Sequence, residues 1–341
     1  MNKTLLFFQL ILTILLLGFS KEKAVVSTFE SPKSWPKPSY NFADNSPTEA
    51  GFILGRKLFY DPILSRDSAI SCASCHLQYT GFTHVDHAVS HGIEGRKGTR
   101  NSPVLINLAW QKHFHWDGGV NHLDAQPINP IEHFTEMDHT LPAVLDKLNR
   151  SIVYKQLFSK AFDSEKITTK QLMMALSQFL VQLVSSNSKY DRVMRHEQGV
   201  SFTDQEKRGL KLFRKHCSSC HTEPLFTNTF FASNGIPVNN IFNDSGRFKI
   251  TANPKDSLLF KIPTLRNVEY SFPYMHDGRF KKLKDVLNFY SDSIRPQAFN
   301  LHPKLREPLH FSEFEKKDLL AFLLTLTDKE FLYNKRFSFP M

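Results

Sequence analysis

The sequence predicts a mainly α-helical protein made of two related domains, and three observations support this. Helical patterns of apolar residues recur along the chain, whereas alternating strand patterns are scarce. Two groups of motifs occur twice, once in each half. The 341 residues are enough for roughly two domains of about 150 residues each. A composition of 41% apolar and 22% charged residues is typical of globular proteins and excludes disorder as the main state.

The N-terminus has the pattern of an export signal. A lysine precedes a nearly unbroken apolar run at residues 5–19, and charged residues follow at 21–23. About 15 apolar residues are fewer than the roughly 20 that span a bilayer, which favours a signal peptide at residues 1–22 and leaves an uncleaved anchor as the alternative. Residues 23–44, rich in Pro and Ser from Ser31 onward, are expected to form an extended arm. We therefore expect an exported, periplasmic protein.

Capping patterns predict where the main helices begin. Ser46, followed by a proline and then by a glutamate three residues on, predicts one helix N-terminus, and T-x-x-E at residues 203–206 predicts the equivalent helix of the second half. S-x-x-E at residues 312–315 predicts a third helix, whose apolar spacing continues to about Asp328. Residues 141–185 also have a helical apolar pattern.

The first repeat joins a helix to a pair of cysteines. G-x-x-L-F at residues 55–59 precedes C-A-S-C-H at 72–76, and G-x-x-L-F at 209–213 precedes C-S-S-C-H at 217–221. The interval between the two parts is longer in the first copy, which predicts an inserted loop in the first half.

The second repeat has identical internal spacing in its two copies. P-x-L-x-N-L-x-W followed by W-D-G within residues 103–118 matches P-x-L-x-N-V-x-Y followed by H-D-G within residues 263–278. We infer that one domain was duplicated, which gives an N-terminal domain at residues 45–195 and a C-terminal domain at 196–335.

Both cysteine motifs have the form C-x-x-C-H, in which two thiols bond to the vinyl groups of a haem and the histidine is the proximal iron ligand. A zinc ribbon needs its cysteine pairs some 15–20 residues apart, whereas more than a hundred residues separate them here. A thioredoxin-like dithiol needs a βαβ context, which the sequence lacks. The sequence therefore predicts two covalent c-type haems, one on Cys72, Cys75 and His76 and the other on Cys217, Cys220 and His221.

From about residue 45 to residue 328 the chain resembles the bacterial di-haem cytochrome c peroxidase family. The blocks that carry the resemblance are R-N-S-P at 100–103, H-W-D-G at 115–118, L-D-A-Q at 123–126, the segment 130–137, and I-P-T-L-R-N with P-Y-M-H-D-G within 262–278. The resemblance implies two cytochrome c-like domains, each with one haem. It implies that the N-terminal haem reduces hydrogen peroxide and that the C-terminal haem accepts electrons from a small donor such as cytochrome c.

The resemblance also implies three catalytic residues. Cleavage of peroxide needs a proton taken from one oxygen and delivered to the other, and the family position of this acid–base group corresponds to Glu136. The amide that orients the peroxide corresponds to Gln126. Trp116 corresponds to an aromatic residue between the two haems, where it shortens the electron's path, and its partner in the second repeat is His276.

The second axial ligand of each iron decides what the iron can bind. His91 and Gly92 resemble a histidine-glycine pair that blocks the peroxidatic iron in the resting form of some members; without this ligand the site is open before reduction. Tyr290 stands where the best-matched peroxidases have a methionine that raises the potential of the other haem, and a phenolate there would lower it. Met275 is the alternative ligand.

The family further implies a calcium ion between the domains, at positions that correspond to Asn101, Ser271 and Pro273. Carbonyl and amide oxygens suit this hard cation, although Ser271 is a threonine in the family pattern. The net charge of +10, from 43 basic and 33 acidic residues, suits an acidic partner protein and does not indicate nucleic acid. A homodimer is one state that the sequence leaves open.

These observations favour a cytochrome c peroxidase that reduces hydrogen peroxide. The first alternative is a di-haem oxidase that acts on a protein or small-molecule substrate, as in the tyrosine-ligated relatives that mature methylamine dehydrogenase. The second alternative is a di-haem electron carrier without turnover of its own.

Overall fold

The computed structural model describes residues 29–340, so the expected signal peptide at 1–22 and the first residues of the arm lie outside the described residues. The α-helices are α1 (Glu49–Tyr60), α2 (Ile128–Glu132), α3 (Leu141–Arg150), α4 (Ile152–Phe162), α5 (Thr169–Leu180), α6 (Lys189–Met194), α7 (Asp204–His216), α8 (Phe248–Thr251), α9 (Leu283–Asn288), α10 (Glu313–Leu324) and α11 (Lys329–Leu332). A π-helical turn, Phe289–Ser293, continues α9.

Strand structure is sparse by comparison. Strands β1 (Phe231–Ala232) and β2 (Phe260–Lys261) pair antiparallel, with Phe231 opposite Lys261. The predicted mainly helical class is therefore confirmed. Between residues 29 and 340, no helix is long and apolar enough to cross a membrane.

Two of the three predicted helix starts are confirmed. At α7 the hydroxyl of Thr203 accepts a hydrogen bond from the backbone N–H of Glu206, and the Glu206 carboxylate accepts one from the N–H of Thr203. Ser312 and Glu315 form the same capping box at α10. In both cases the residues that satisfy the free N–H groups of the first turn are close in sequence.

The helix start predicted at Ser46 is wrong, because α1 begins two residues later. Thr48 is the N-cap, and its hydroxyl accepts a hydrogen bond from the N–H of Gly51. The N–H of Thr48 itself donates to Oε1 of Gln178 in α5, at 2.9 Å. A side chain from a distant helix thus replaces the local glutamate that completes the other two capping boxes.

The apolar pattern at residues 141–185 corresponds to three helices, α3, α4 and α5. Helix α4 ends at Phe162, and its C-cap, Asp163, has a left-handed backbone with φ of 51°. Helix α5 begins at a further capping box, formed by Thr168 and Gln171. The helical character of this region is confirmed. The structure also shows two breaks that the sequence pattern does not predict, one between α3 and α4 and one between α4 and α5.

The glycine of each G-x-x-L-F motif lies where two helices cross. A Cβ atom added to Gly55 of α1 would lie 2.0 Å from the carbonyl oxygen of Ala175 in α5. One added to Gly209 of α7 would lie 2.0 Å from the carbonyl oxygen of Asp318 in α10. No side chain fits at either contact, so the first helix of each half packs directly on the backbone of a later helix. This shared geometry is what an internal duplication predicts.

The buried apolar residues form two main cores. The first contains residues of α1, α4 and α5, and the second contains residues of α6, α7 and α10. Phe331 and Leu332 of α11, together with Phe337, are buried in the first core, although the predicted boundary assigns Phe331 and Leu332 to the second domain. Tyr190, which the predicted boundary assigns to the first domain, packs in the second core.

The described part of the predicted arm packs against the first core. The rings of Phe29 and Phe42 stack with their centroids 4.5 Å apart, and the ring of Trp35 meets that of Trp110 at 5.0 Å. The guanidinium carbon of Arg266, from the second domain, lies 4.6 Å from the Trp35 ring centroid. The arm therefore contacts both domains.

Arg266 forms a buried ion pair with Asp191. The two terminal nitrogens of Arg266 donate to the Asp191 carboxylate at 2.8 and 2.7 Å, and Arg266 is fully buried. Burial alone would raise the pKa of Asp191, but the hydrogen bonds and charge of Arg266 outweigh it and hold this pKa below its ordinary value. A carboxyl group with a depressed folded-state pKa stabilises the fold above its unfolded pKa of about 4 and loses this contribution as the pH falls.

We expect Asp191→Asn to lower the free energy of unfolding at neutral pH by about 3–5 kcal/mol, because Arg266 then stays buried without a counter-charge. Chemical denaturation of the haem-loaded protein measures the effect. The difference between wild type and variant should shrink as the pH falls below about 4, where protonation removes the same charge. Glu197→Gln is the matched control, since Glu197 pairs with Arg192 at the surface. Equal stabilities of wild type and Asp191→Asn at neutral pH would contradict this expectation.

Candidate active site

A cavity in the N-terminal domain has the first C-x-x-C-H motif on its wall. Cys72, Cys75 and His76 line it, and a 3₁₀ turn at Cys72–Ser74 presents them. Nδ1 of His76 donates a hydrogen bond to the carbonyl oxygen of Phe82 at 2.7 Å, which leaves the lone pair of Nε2 free. Burial lowers the pKa of His76 to about 4, so the imidazole is neutral, the form that binds a metal.

The second C-x-x-C-H motif lines a second cavity in the same manner. Nδ1 of His221 lies 3.2 Å from the carbonyl oxygen of Phe226 and 3.1 Å from that of Pro263, and burial lowers the pKa of His221. None of the four cysteines forms a disulfide, and each pair faces a mainly apolar cavity together with its histidine. The residues of both cavities therefore fit a covalent c-type haem. The residues of the second motif that line its cavity are Cys217, Cys220 and His221.

Glu136 and Gln126 both face the N-terminal cavity. Burial raises the pKa of Glu136 to about 7, so this carboxyl group can take up and release a proton near neutral pH. Its backbone is tightly held, because Ile93 N donates to Glu136 O at 2.8 Å and a Cβ at Gly92 would lie 2.4 Å from Glu136 Cα. The structure thus brings the predicted acid–base group and the predicted orienting amide to the cavity that His76 lines.

His91 lies beside this cavity, but its ring packs against two other histidines and does not line the cavity. Its carbonyl oxygen accepts a hydrogen bond from Sγ of Cys75 at 3.4 Å. Its imidazole ring packs on the rings of His87 and His84, at centroid distances of 4.0 and 5.3 Å. The next residue, Gly92, lines the cavity, but His91 is not among the lining residues. Iron ligation by His91 would require this loop to move, and it stays a prediction.

Trp116 lines both cavities and lies at their boundary. Its Nε1 donates to the carbonyl oxygen of Asn101 at 2.8 Å, and the N–H of Asn101 donates to the carbonyl oxygen of His276 at 2.7 Å. The His276 ring stacks on Phe260 at 3.7 Å and meets the Trp116 ring at 6.5 Å, measured between centroids. The predicted electron-transfer residue therefore lies between the two cavities, in contact with its counterpart from the second repeat.

An ion-pair network crosses the same boundary. Arg100 donates to the Asp244 carboxylate through Nε at 2.6 Å and Nη2 at 2.9 Å, and it also donates to Asp117, the residue after Trp116. Burial alone would raise the pKa of Asp244, but Arg100 outweighs it and lowers this pKa. Arg100 thus fixes the loop that carries Trp116 to the C-terminal domain.

Tyr290 and Met275 both line the second cavity. Tyr290 belongs to the π-helical turn that continues α9, and such turns are frequent at functional sites. The amide nitrogen of Asn234 donates to the Tyr290 hydroxyl at 3.2 Å and lies 3.5 Å from Sδ of Met275. Burial raises the pKa of Tyr290 to about 12. Both predicted candidates for the second axial ligand therefore face the cavity.

Two of the three residues predicted to bind calcium, Asn101 and Pro273, meet between the domains. Nδ2 of Asn101 donates to the carbonyl oxygen of Pro273 at 2.6 Å, and Oδ1 of Asn101 is buried without a partner. Ser271 lines the second cavity two residues before Pro273. A buried amide oxygen without a partner is a ligand of the kind that a hard cation takes. Within residues 29–340, no cluster of three or more His, Cys, Asp or Glu side chains is arranged to hold a metal.

Three further residues at these cavities were not selected from the sequence: His115, Asn234 and Lys261. His115 faces the N-terminal cavity, and its buried Nε2 has no partner. Lys261 lines both cavities. His115 and Lys261 lie in or next to the motif blocks, and that position is the signal that could have selected them. Asn234 follows no pattern, and only the fold brings it to Tyr290.

Comparison with known proteins extends over most of the chain. A family model described as di-haem cytochrome c peroxidase matches residues 49–199. The methylamine utilization protein MauG of Methylorubrum extorquens is 35% identical over 313 residues, which cover 89% of this chain and 84% of that protein. Cytochrome c551 peroxidase of Nitrosomonas europaea is 31% identical over 279 residues, which cover 80% of this chain and 79% of that protein.

A solved structure shows the same architecture. It is described as a MauG-like protein associated with microbial copper homeostasis, and it superposes with a TM-score of 0.84 at 30% identity, covering 92% of this chain and 99% of the other. The similar proteins are haem oxidoreductases and include both MauG proteins and cytochrome c peroxidases. Their shared di-haem nature implies two c-type haems, which the residues of both cavities fit. The chain therefore belongs to the di-haem cytochrome c peroxidase family, to which the MauG proteins also belong.

Proposed function

We propose that this protein reduces hydrogen peroxide to water with electrons from a small external donor such as a cytochrome c. The observation that carries the proposal is that Glu136, Gln126 and His76 face one cavity in the N-terminal domain. A c-type haem supplies the iron that binds peroxide and exchanges electrons with it. Overall, one peroxide molecule, two protons and two electrons give two molecules of water.

Glu136 moves the protons in this reaction. Its carboxylate takes the proton from the oxygen that binds and delivers it to the oxygen that leaves. A pKa of about 7 suits both roles, since the group is neither strongly acidic nor permanently protonated at neutral pH. The amide of Gln126 does not titrate in this range, so it orients the peroxide by hydrogen bonding without competing for the proton.

Electrons enter through the C-terminal domain and pass Trp116. This indole lies at the boundary of the two cavities and is held by its hydrogen bond to Asn101. The Arg100 network keeps the Trp116 loop attached to the C-terminal domain. A fixed aromatic group at this place keeps the distance between donor and acceptor constant from one turnover to the next.

A second candidate is oxidation of a protein or small-molecule substrate, and the position of Tyr290 favours it. A phenolate ligand would lower the potential of the C-terminal haem and make it a poorer acceptor for electrons from a cytochrome. The relatives include proteins named for methylamine utilization as well as peroxidases. A carrier without turnover is disfavoured, because an acid–base group with a pKa of about 7 at the N-terminal cavity has no use in simple electron transfer.

Rapid mixing of the purified haem-loaded protein with hydrogen peroxide and reduced cytochrome c distinguishes the two candidates. Fast, repeated oxidation of the cytochrome supports the peroxidase. Slow oxidation, together with a protein that stays oxidised by two electrons for minutes, supports the second candidate. A protein that does not react with peroxide at all would contradict both.

We also propose a calcium ion between the domains, held by Asn101, Ser271 and Pro273. An ion that binds only the folded state stabilises it, so removal by a chelator is expected to lower the melting temperature by several degrees. Differential scanning calorimetry of the haem-loaded protein measures this. Calcium should restore the original value and magnesium should not, because magnesium demands a smaller octahedral site. An unchanged melting temperature after chelation would contradict the proposal.

We propose further that the protein is exported to the periplasm. The support is the sequence pattern of residues 1–22. Intact mass measurement of the protein from its native host would reveal whether this segment is removed, and recovery in the cytoplasmic fraction would contradict export.

A further inference from the structure

Lys261 lies in the wall between the two cavities. It belongs to β2, and its side chain lines both cavities. Its backbone N–H donates to the carbonyl oxygen of Trp116 at 2.7 Å. Its Nζ donates to the carbonyl oxygen of His113 at 3.2 Å and to Oε1 of Gln111 at 3.3 Å. A strand of the C-terminal domain thus places an ammonium group beside the N-terminal loop that carries Trp116.

The charge of Lys261 has no carboxylate partner among the residues that line these cavities. The other lysine and arginine side chains there are Arg100 and Lys249, and both pair with Asp244. The contacts of Lys261 are an amide and a carbonyl oxygen, which are neutral. Burial without a counter-charge lowers the pKa of Lys261 to about 8. Lys261 is only half-buried, but a cation in such surroundings is still costly unless an anion pairs with it.

The haems that the family implies would bring suitable anions to this place. Each haem has two propionate carboxylates, and a carboxylate paired with an ammonium group in a low-dielectric site forms a strong, charge-assisted hydrogen bond. Arg100 and Lys249 already have a carboxylate partner, whereas the ammonium group of Lys261 does not.

We propose that Lys261 binds a haem propionate in the wall between the two cavities and raises the reduction potential of that haem. The proposal rests on covalent haem in both domains. A nearby positive charge favours the reduced form of a haem, which has one more electron than the oxidised form. Because Lys261 lies next to Trp116, its charge acts on the driving force of the electron step between the two haems.

Lys261→Met tests the proposal, because methionine keeps the length of the side chain and removes its charge. We expect the equilibrium constant for one-electron reduction of one haem to fall about tenfold, which corresponds to about 59 mV. Spectroelectrochemical titration of the haem-loaded protein measures the potential of each haem. Resonance Raman spectra should show a shifted propionate bending frequency in the same variant. Lys189→Met is the matched control, since Lys189 pairs with Glu206 and lines neither cavity, and both of its readouts should equal wild type.

Each result decides for or against the proposal. Wild-type potentials for both haems in Lys261→Met overturn it, and so does a lower potential without a change in the propionate mode. If Lys261→Met does not attach haem, Lys261→Arg decides: normal attachment with near wild-type potentials supports a role for the charge, and failure of this variant as well overturns it. A pyridine haemochrome assay of the wild type tests covalent haem attachment on its own. A failure of that assumption is thereby distinguished from a failure of the proposed role of Lys261.

Discussion

Replacing Glu136 by glutamine is expected to lower the rate of peroxide turnover by on the order of a hundredfold or more, while the spectra of both haems stay unchanged. Glutamine has nearly the same shape as glutamate but cannot take a proton from peroxide. Because the base form of a group with a pKa of about 7 is needed, the wild-type rate of reaction with peroxide should rise as the pH increases through 7, and the variant should lose this dependence. Rapid-mixing kinetics with peroxide at several pH values measure both effects.

Glu132→Gln is the control for this variant. Glu132 lies in α2, four residues before Glu136, and its side chain is exposed to solvent. The same chemical change there should leave the rate and its pH dependence as in the wild type. Unchanged turnover in Glu136→Gln would refute its assignment as the acid–base group, and equal losses in both variants would indicate a general effect on folding.

Replacing Tyr290 by methionine is expected to raise the midpoint potential of the C-terminal haem by on the order of 100 mV, a part of the ~0.8 V range over which axial ligands tune haems. The physical reason is that a thioether is neutral, whereas a phenolate is anionic and stabilises the oxidised iron. Spectroelectrochemical titration gives the potential. Low-temperature electron paramagnetic resonance of the oxidised protein reports the ligand type and spin state of each iron.

Tyr274→Phe is the control for Tyr290→Met. Tyr274 lines the same cavity, but its hydroxyl donates to the carbonyl oxygen of Val268 at 2.9 Å. This variant should keep the wild-type potential and resonance signals. Unchanged signals in Tyr290→Met would instead point to Met275 as the ligand. A raised potential of the C-terminal haem in Tyr290→Met should also speed the oxidation of reduced cytochrome c. The identity of this ligand therefore bears on whether the protein acts as a peroxidase or as an oxidase of another substrate.

The parts of the fold that the sequence predicts are those that depend on neighbours in the chain. The capping boxes at Thr203 and Ser312 involve residues three positions apart, so their pattern is visible without a structure. The predicted start of α1 is wrong because the N–H of its N-cap, Thr48, donates to the side chain of Gln178 from another helix and not to a nearby glutamate. The burial of Phe331 in the first core also depends on residues that are distant in sequence, because only the tertiary fold brings this C-terminal segment beside α1.

The candidate site likewise contains residues that the sequence predicts and residues that only the structure reveals. The cysteine motifs are specific because the chemistry of thioether attachment fixes their spacing. Only the family resemblance points to Glu136 and Gln126, since a single glutamate or glutamine is too common to indicate a site. Asn234 and Lys261 have no such support, and their importance rests on contacts and charges that appear only in three dimensions.

The burial of Phe331, Leu332 and Phe337 beside α1 also bears on how the molecule matures. While the polypeptide is being made, the first C-x-x-C-H motif emerges more than two hundred residues before the segment that closes its domain. The core of the first domain is therefore incomplete until that segment has folded back beside α1. We expect the second domain, whose core residues lie between Tyr190 and Leu326, to close first.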